Sequence, residues 1–177
     1  MYFSAFNGNY YRFSPEGALV WSSPNVGVAM NQAAVSDGRV FVGTVHEEGG
    51  SVLALDNSGA IRWRVTTESG VIASPVLSAD ASTVYVATYG GVLLALRAED
   101  GEQRWRMPLP EGERVSAAPV LSADEGSLYV HTNSHQVFAF QTPHTSQVVL
   151  QSAGGAQSQS PSILWQRSIG SANSTYF

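Results

Sequence analysis

A chain of 177 residues that is 44% hydrophobic and only 13% charged can bury a core and is too apolar to stay disordered. Its net charge of −5 argues against nucleic acid as a partner, and the absence of Cys excludes disulfides, thiolate metal sites and cysteine nucleophiles while leaving the compartment open. No apolar run approaches the ~18 residues a membrane helix needs, so no membrane span is expected.

The opening residues, Met1-Tyr2-Phe3-Ser4-Ala5-Phe6, lack the basic start and long apolar stretch of a signal peptide and read as the inside of a strand. Gly17-Ala18-Leu19-Val20-Trp21 then closes a first phrase. Ala34-Val35-Ser36 leads through the Asp37-Gly38 turn into Val40-Phe41-Val42-Gly43-Thr44. After Gly49-Gly50 comes Val52-Leu53-Ala54-Leu55, and after Asn57-Ser58-Gly59 a strand that ends near Trp63. Gly, Asn and Asp at these junctions supply the positive φ or local hydrogen bonding that tight turns require. Pro75-Val76-Leu77, Val84-Tyr85-Val86 and Leu93-Leu94-Ala95-Leu96 repeat the series, with Gly101-Glu102-Gln103-Arg104-Trp105 at its close. Pro119-Val120-Leu121, Leu128-Tyr129-Val130 and Val137-Phe138-Ala139-Phe140 open a further series, which reaches Trp165. Pro75 and Pro119 stand at the start of a strand, where a missing N–H is tolerable.

Trp21, Trp63 and Trp105 are spaced by 42 residues, and four unrelated phrases recur between them in one order. Each unit reads as four short strands. The third is apolar on both faces, so it needs a sheet on either side. Ile61, Trp63 and Val65 are expected to share one face of the fourth strand, with Arg62 and Arg64 on the other as a solvated edge. No segment shows a sustained helical period. The expected fold is all-β, a β-propeller of about four four-stranded antiparallel blades, with units near 1–27, 28–70, 71–112 and 113–170. The fourth unit is irregular: 26 residues separate Ala139 from Trp165, against 10 between Ala95 and Trp105, and residues 151–162 read as a polar, low-complexity surface loop. The arc is expected to belong to a seven- or eight-bladed ring; a closed four-bladed ring, with the C-terminal segment supplying the missing first strand, is the other arrangement.

A WD40 assignment fails because no Trp is followed by Asp and no Gly-His pair occurs. The phrase from Ala54 through Trp63 instead resembles the tryptophan-docking motif of the quinoprotein-type (PQQ-like) propeller repeat, Ala-x-Asp-x-x-Thr-Gly-x-x-x-Trp. It matches at Ala54, Asp56, Gly59 and Trp63, with one residue deleted in the turn. Ala95, Gly101 and Trp105 match at full spacing, with Arg97 where Asp is usual. The first unit keeps Gly17 and Trp21, and the fourth keeps Ala139 and Trp165. The resemblance implies that each Trp packs on the Gly-containing turn of a neighbouring blade, which makes these residues structural rather than catalytic.

No catalytic, cofactor or metal residue is assigned. His46-Glu47-Glu48, His131, His135 and His144 form no recognisable ligand motif. Asp80 and Asp124 recur in equivalent turns, as a turn requirement would have it. The reading is a non-catalytic module for protein binding or scaffolding, with a protein partner or missing blades of the same parent chain meeting its surfaces. The resemblance favours a periplasmic or extracellular location. The alternative is a fragment of a PQQ-dependent dehydrogenase, with PQQ and calcium as cofactors and its active-site residues elsewhere.

Overall fold

Short apolar strands joined by tight turns satisfy their buried N–H and C=O groups only by pairing with their sequence neighbours. The computed structural model, which describes residues 1–142 and 161–169, shows that outcome four times in succession. The first sheet has three strands, β1 (Tyr2–Ser4), β2 (Tyr10–Phe13) and β3 (Leu19–Ser23). The second contains β4 (Ala34–Ser36), β5 (Arg39–His46), β6 (Gly49–Leu55) and β7 (Ile61–Thr67). The third contains β8 (Val76–Leu77), β9 (Thr83–Ala87), β10 (Val92–Arg97) and β11 (Gln103–Pro108). The fourth contains β12 (Val120–Leu121), β13 (Ser127–His131), β14 (Gln136–Gln141) and β15 (Ser162–Ser168). All pairs are antiparallel, and strand order follows chain order within each sheet. The protein is a partial β-propeller, and among the described residues its four blades do not close into a ring.

Register makes the blades equivalent. Trp63 lies opposite Ala54, Trp105 opposite Ala95 and Trp165 opposite Ala139, while Trp21 faces Arg12. Trp165 thus falls into place in spite of the long interval before it. The polar loop drawn to residue 162 stops sooner, because Ser162 already begins β15; residues 151–160 lie outside the described residues.

A β-bulge recurs just before the Trp in every blade, at Arg12/Phe13, Ala54/Leu55, Ala95/Leu96 and Ala139/Phe140 of the partner strand. It corrects the face assigned to Ile61. Trp63 pairs with Ala54 but Ile61 pairs with Leu55, and adjacent residues on β6 point to opposite faces. Ile61 is therefore separated from Trp63 and Val65, and it is exposed.

Three apolar clusters fill the spaces between blades. Val40, Val42, Leu53 and Leu55 of blade 2 pack toward Tyr10 and Trp21 of blade 1. Phe41, Val52, Ala54 and Trp63 leave the other face of blade 2 to meet Val84, Val86, Leu94 and Leu96 of blade 3. Tyr85, Leu93, Ala95 and Trp105 then meet Leu128, Val130, Phe138 and Phe140 of blade 4. Most residues of the inner strands of blades 2 to 4 are thereby buried against one neighbour or the other, which explains the unbroken apolar runs.

Candidate functional site

The best-defined side-chain constellations are the joints between blades. Gly59 ends the β6–β7 turn with φ +83, and an ideal Cβ there would lie 2.7 Å from Cε3 of Trp21. Gly101 occupies the same place in the β10–β11 turn with φ +78, and its Cβ would lie 2.8 Å from Cε3 of Trp63. Only a residue without a side chain lets the indole reach the peptide plane at that range. Trp105 packs in one cluster with Phe138 and Phe140; most of the facing β14–β15 connection lies outside the described residues.

The two turns differ by the residue missing from the first. The Asp56–Gly59 turn closes with Gly59 N–H donating to Asp56 O at 3.0 Å, whereas the longer turn closes with Gly101 N–H donating to Arg97 O at 2.8 Å. The longer turn brings Ala98 O to the Trp63 indole N–H at 3.1 Å. In the shorter turn Asn57 O instead accepts from Arg12 at 3.3 Å, and the buried indole N–H of Trp21 has no partner among the described residues.

Asp56 organises its turn by accepting from Ser58 Oγ (2.6 Å), Ser58 N–H (2.8 Å) and Ala60 N–H (3.1 Å). These bonds, the hydroxyl of Ser58 foremost, hold its carboxyl below the usual range. Arg97, standing where Asp is usual, donates through Nε to Asp100 at 2.8 Å, and Asp100 accepts from Glu102 N–H at 3.0 Å. The turn carboxylate has moved three residues along. The Arg97 guanidinium is the main reason that Asp100 is pushed down to about 2. Asp80 and Asp124 fix equivalent turns, Asp80 accepting from the Ser78 hydroxyl and the Ser82 N–H, and Asp124 from the Ser122 hydroxyl and the Gly126 N–H.

The arginines of the outer strands do more than line a solvated edge. Arg64 donates to Asn25 O at 2.7 Å and Val26 O at 3.3 Å, tying β7 to the segment that enters blade 2. Arg104 reaches Thr83 Oγ1 at 2.8 Å, and Arg106 pairs with Glu68 of the preceding blade at 3.0 Å. Arg62 stays largely exposed, 3.8 Å from Asp56.

A cavity of about 500 Å³ runs along the segments that precede strand one of blades 2, 3 and 4. Its polar atoms come from Ser4, Asn31, Gln32, Ser74 and Ser116, so it offers neutral hydrogen-bonding groups and no charge. Sequence reasoning missed Asn31, which donates to Gly43 O at 2.9 Å and Val71 O at 2.8 Å and so staples blade 2 to the entry of blade 3. The available signal was its departure from the repeat, since Ala73 and Ala117 hold the equivalent places.

Among the described residues the histidines are not brought together as a metal site. His46 ends β5 and His131 ends β13, both exposed, and Glu47 and Glu48 are exposed beyond His46. His131 and His135 have ring centroids 6.5 Å apart; His144 lies outside the described residues. Among the described residues no three His, Cys, Asp or Glu are grouped to hold a metal ion.

Known proteins share this architecture. The family model described as "Outer membrane protein assembly factor BamB" matches residues 7–175. The outer membrane protein assembly factor BamB of Bordetella pertussis is 32% identical over 94 residues, which is 53% of this chain and 23% of that protein. The crystal structure of BamB from Moraxella catarrhalis superposes with a TM-score of 0.70 at 20% identity, over 96% of this chain and 46% of that one. Quinohemoprotein alcohol dehydrogenase ADHIIG from Pseudomonas putida HK5 superposes with a TM-score of 0.68 at 15% identity, over 94% of this chain and 32% of that one. At those identities the two structures establish the fold alone. The chain spans under half the length of each of these three proteins. The repeat phrases, the shared blade register and the match along nearly the whole sequence lead to one assignment: the chain belongs to the PQQ-like β-propeller repeat family whose model bears the name of the assembly factor BamB.

Proposed function

We propose that this chain is a non-catalytic module for protein binding or scaffolding, working outside the cytoplasm in the manner of an envelope assembly factor, with its loops and open blade faces as binding surfaces. The observation that carries this reading is the family match over residues 7–175, supported by 32% identity to an outer membrane assembly factor. The chemistry of the turns agrees with it. The carboxylates with lowered pKa are each engaged within their own turns: Asp56 and Asp80 by serine hydroxyls and backbone N–H groups, Asp100 by Arg97 and the Glu102 N–H, and Glu16 by Ser14.

The likeness to a quinohemoprotein dehydrogenase supports a second reading, that of a dehydrogenase fragment. PQQ carries three carboxylates, and a calcium ion beside it needs oxygen ligands of high charge. The residues present do not fit that pair: the cavity wall is neutral, and no acidic cluster stands near it among the described residues. Calorimetric titration of the chain with PQQ and calcium tests the proposal. We expect no heat beyond dilution, and a stoichiometric binding isotherm would overturn the scaffold reading.

A further inference from the structure

Two joints inside the chain are built from the same parts, and one further set of these parts is divided between its two open faces. We infer that the faces are complementary, and that two copies of the chain close head to tail into one ring of eight blades. This goes beyond the proposed scaffold role and does not depend on it; it gives the open blade faces to a second copy and leaves the loops to any other partner.

At one face the knob is ready. Trp165 is paired with Ala139 and sits 6.0 Å, centroid to centroid, from Tyr129. Trp63 stands 5.9 Å from Phe41 and Trp105 5.9 Å from Tyr85, so the three rings are set alike on their blades. Trp63 and Trp105 are 9% and 7% exposed beneath the next blade, whereas Trp165 is 42% exposed.

At the other face the socket is ready. Gly17 has φ +87 and donates to Ser14 O at 3.1 Å, while Ser14 N–H donates to Ala18 O at 2.8 Å. Gly59 closes its turn with the same two bonds, each at 3.0 Å, from Gly59 N–H to Asp56 O and from Asp56 N–H to Ala60 O. A Cβ on Gly59 would strike Trp21; a Cβ on Gly17 would meet nothing within 4 Å. Beside this empty socket stand Phe3, Tyr11 and Phe13, in the strand positions that Val42, Leu53 and Leu55 fill in blade 2. Those three are 0% exposed under blade 1, while Phe3 is 52% exposed and lies 5.9 Å from Phe13.

The occupant with both matching halves is a second copy. Each copy would set its Trp165 against Gly17 of the other, which makes two identical joints related by a two-fold axis. The arc superposes on 46% of the BamB chain, so two arcs supply about the length of that one propeller-like chain. Further blades of a longer chain are the competing occupant of these faces.

Light scattering and sedimentation equilibrium of the full chain, from nanomolar to high micromolar concentration, test the inference. We expect a limiting species of twice 18.8 kDa. Trp165→Ala and Phe3→Asp, with unchanged far-ultraviolet circular dichroism, should each weaken the association by roughly 30-fold or more, the level of an interface hot spot. An equimolar mixture of the two variants contains one intact joint per pair, so it should associate more tightly than either variant alone; misfolding cannot produce that rescue. A monomer at every concentration, open polymers beyond the dimer, or a dimer indifferent to both substitutions would overturn the proposal.

Discussion

Replacing Gly101 by Ala drives a methyl group into the face of the Trp63 indole. The new Cβ would stand 2.8 Å from Cε3, 2.9 Å from Cδ2 and 3.0 Å from Cγ2 of Val65, against roughly 3.5–4.0 Å for an ordinary carbon contact. Relief requires the indole to tilt or the turn to shift, and overpacking of this kind costs about 1–3 kcal/mol. The backbone adds its own penalty, since φ is +78 and a side chain in the left-handed region costs about 1–2 kcal/mol. The sum is a loss of about 2–5 kcal/mol. Gly17→Ala is the matched control, with φ +87 and open space around the new methyl, and in the monomer it should lose only the backbone part, about 1–2 kcal/mol. Urea unfolding at a concentration where sedimentation finds a monomer reads both values. In a cycle with Trp63→Ala, the excess cost of Gly101→Ala should vanish, because the atoms it collides with are gone. If Gly101→Ala and Gly17→Ala cost the same within about 0.5 kcal/mol, the close approach of Trp63 to Gly101 contributes nothing to stability.

The indole N–H groups give a second comparison. Trp63→Phe abandons the bond to Ala98 O, whereas Trp21→Phe abandons none, so chemical denaturation should show the former costing about 1 kcal/mol more; equal costs would remove the bond from the account. Acid titration supplies a third. Asp100 is held at about 2 against an ordinary 3.8, and Asp56 and Asp80 are lowered as well. A carboxyl lowered in the folded state stabilises the fold above its ordinary value, and that stabilisation is lost as pH falls through the folded one. The fold should therefore weaken progressively from pH 3.8 down to about 2, and Asp100→Asn should flatten the decline. An unchanged slope in that variant, followed by circular dichroism, would remove Asp100 as a cause.

Much of the architecture was legible because the repeat is written in local chemistry. Apolar runs such as Val52–Leu55, turn residues such as Asp37-Gly38 and the 42-residue return of Trp each follow from forces acting within a few residues, so strands and blades could be placed from the chain alone. The solvent edge was read less well. Arg64 was expected to be solvated because its strand alternates, yet it reaches the carbonyls of Asn25 and Val26, 38 or 39 residues away. Asn31 was passed over for a like reason, because its two acceptors come from separate blades.

The sequence by itself determined the class of fold and its repeat of about four blades. Periodicity and turn chemistry are local properties, and they survive without any knowledge of neighbours. Tertiary structure decided the rest. The bulge that turns Trp63 away from Ile61 arises from pairing across β6 and β7. The acceptor of the Trp63 indole N–H lies 35 residues downstream, and one missing turn residue withholds the like acceptor from Trp21. Which Trp is buried and which is bare depends on whether a blade follows it, a matter of packing between units that no single unit records.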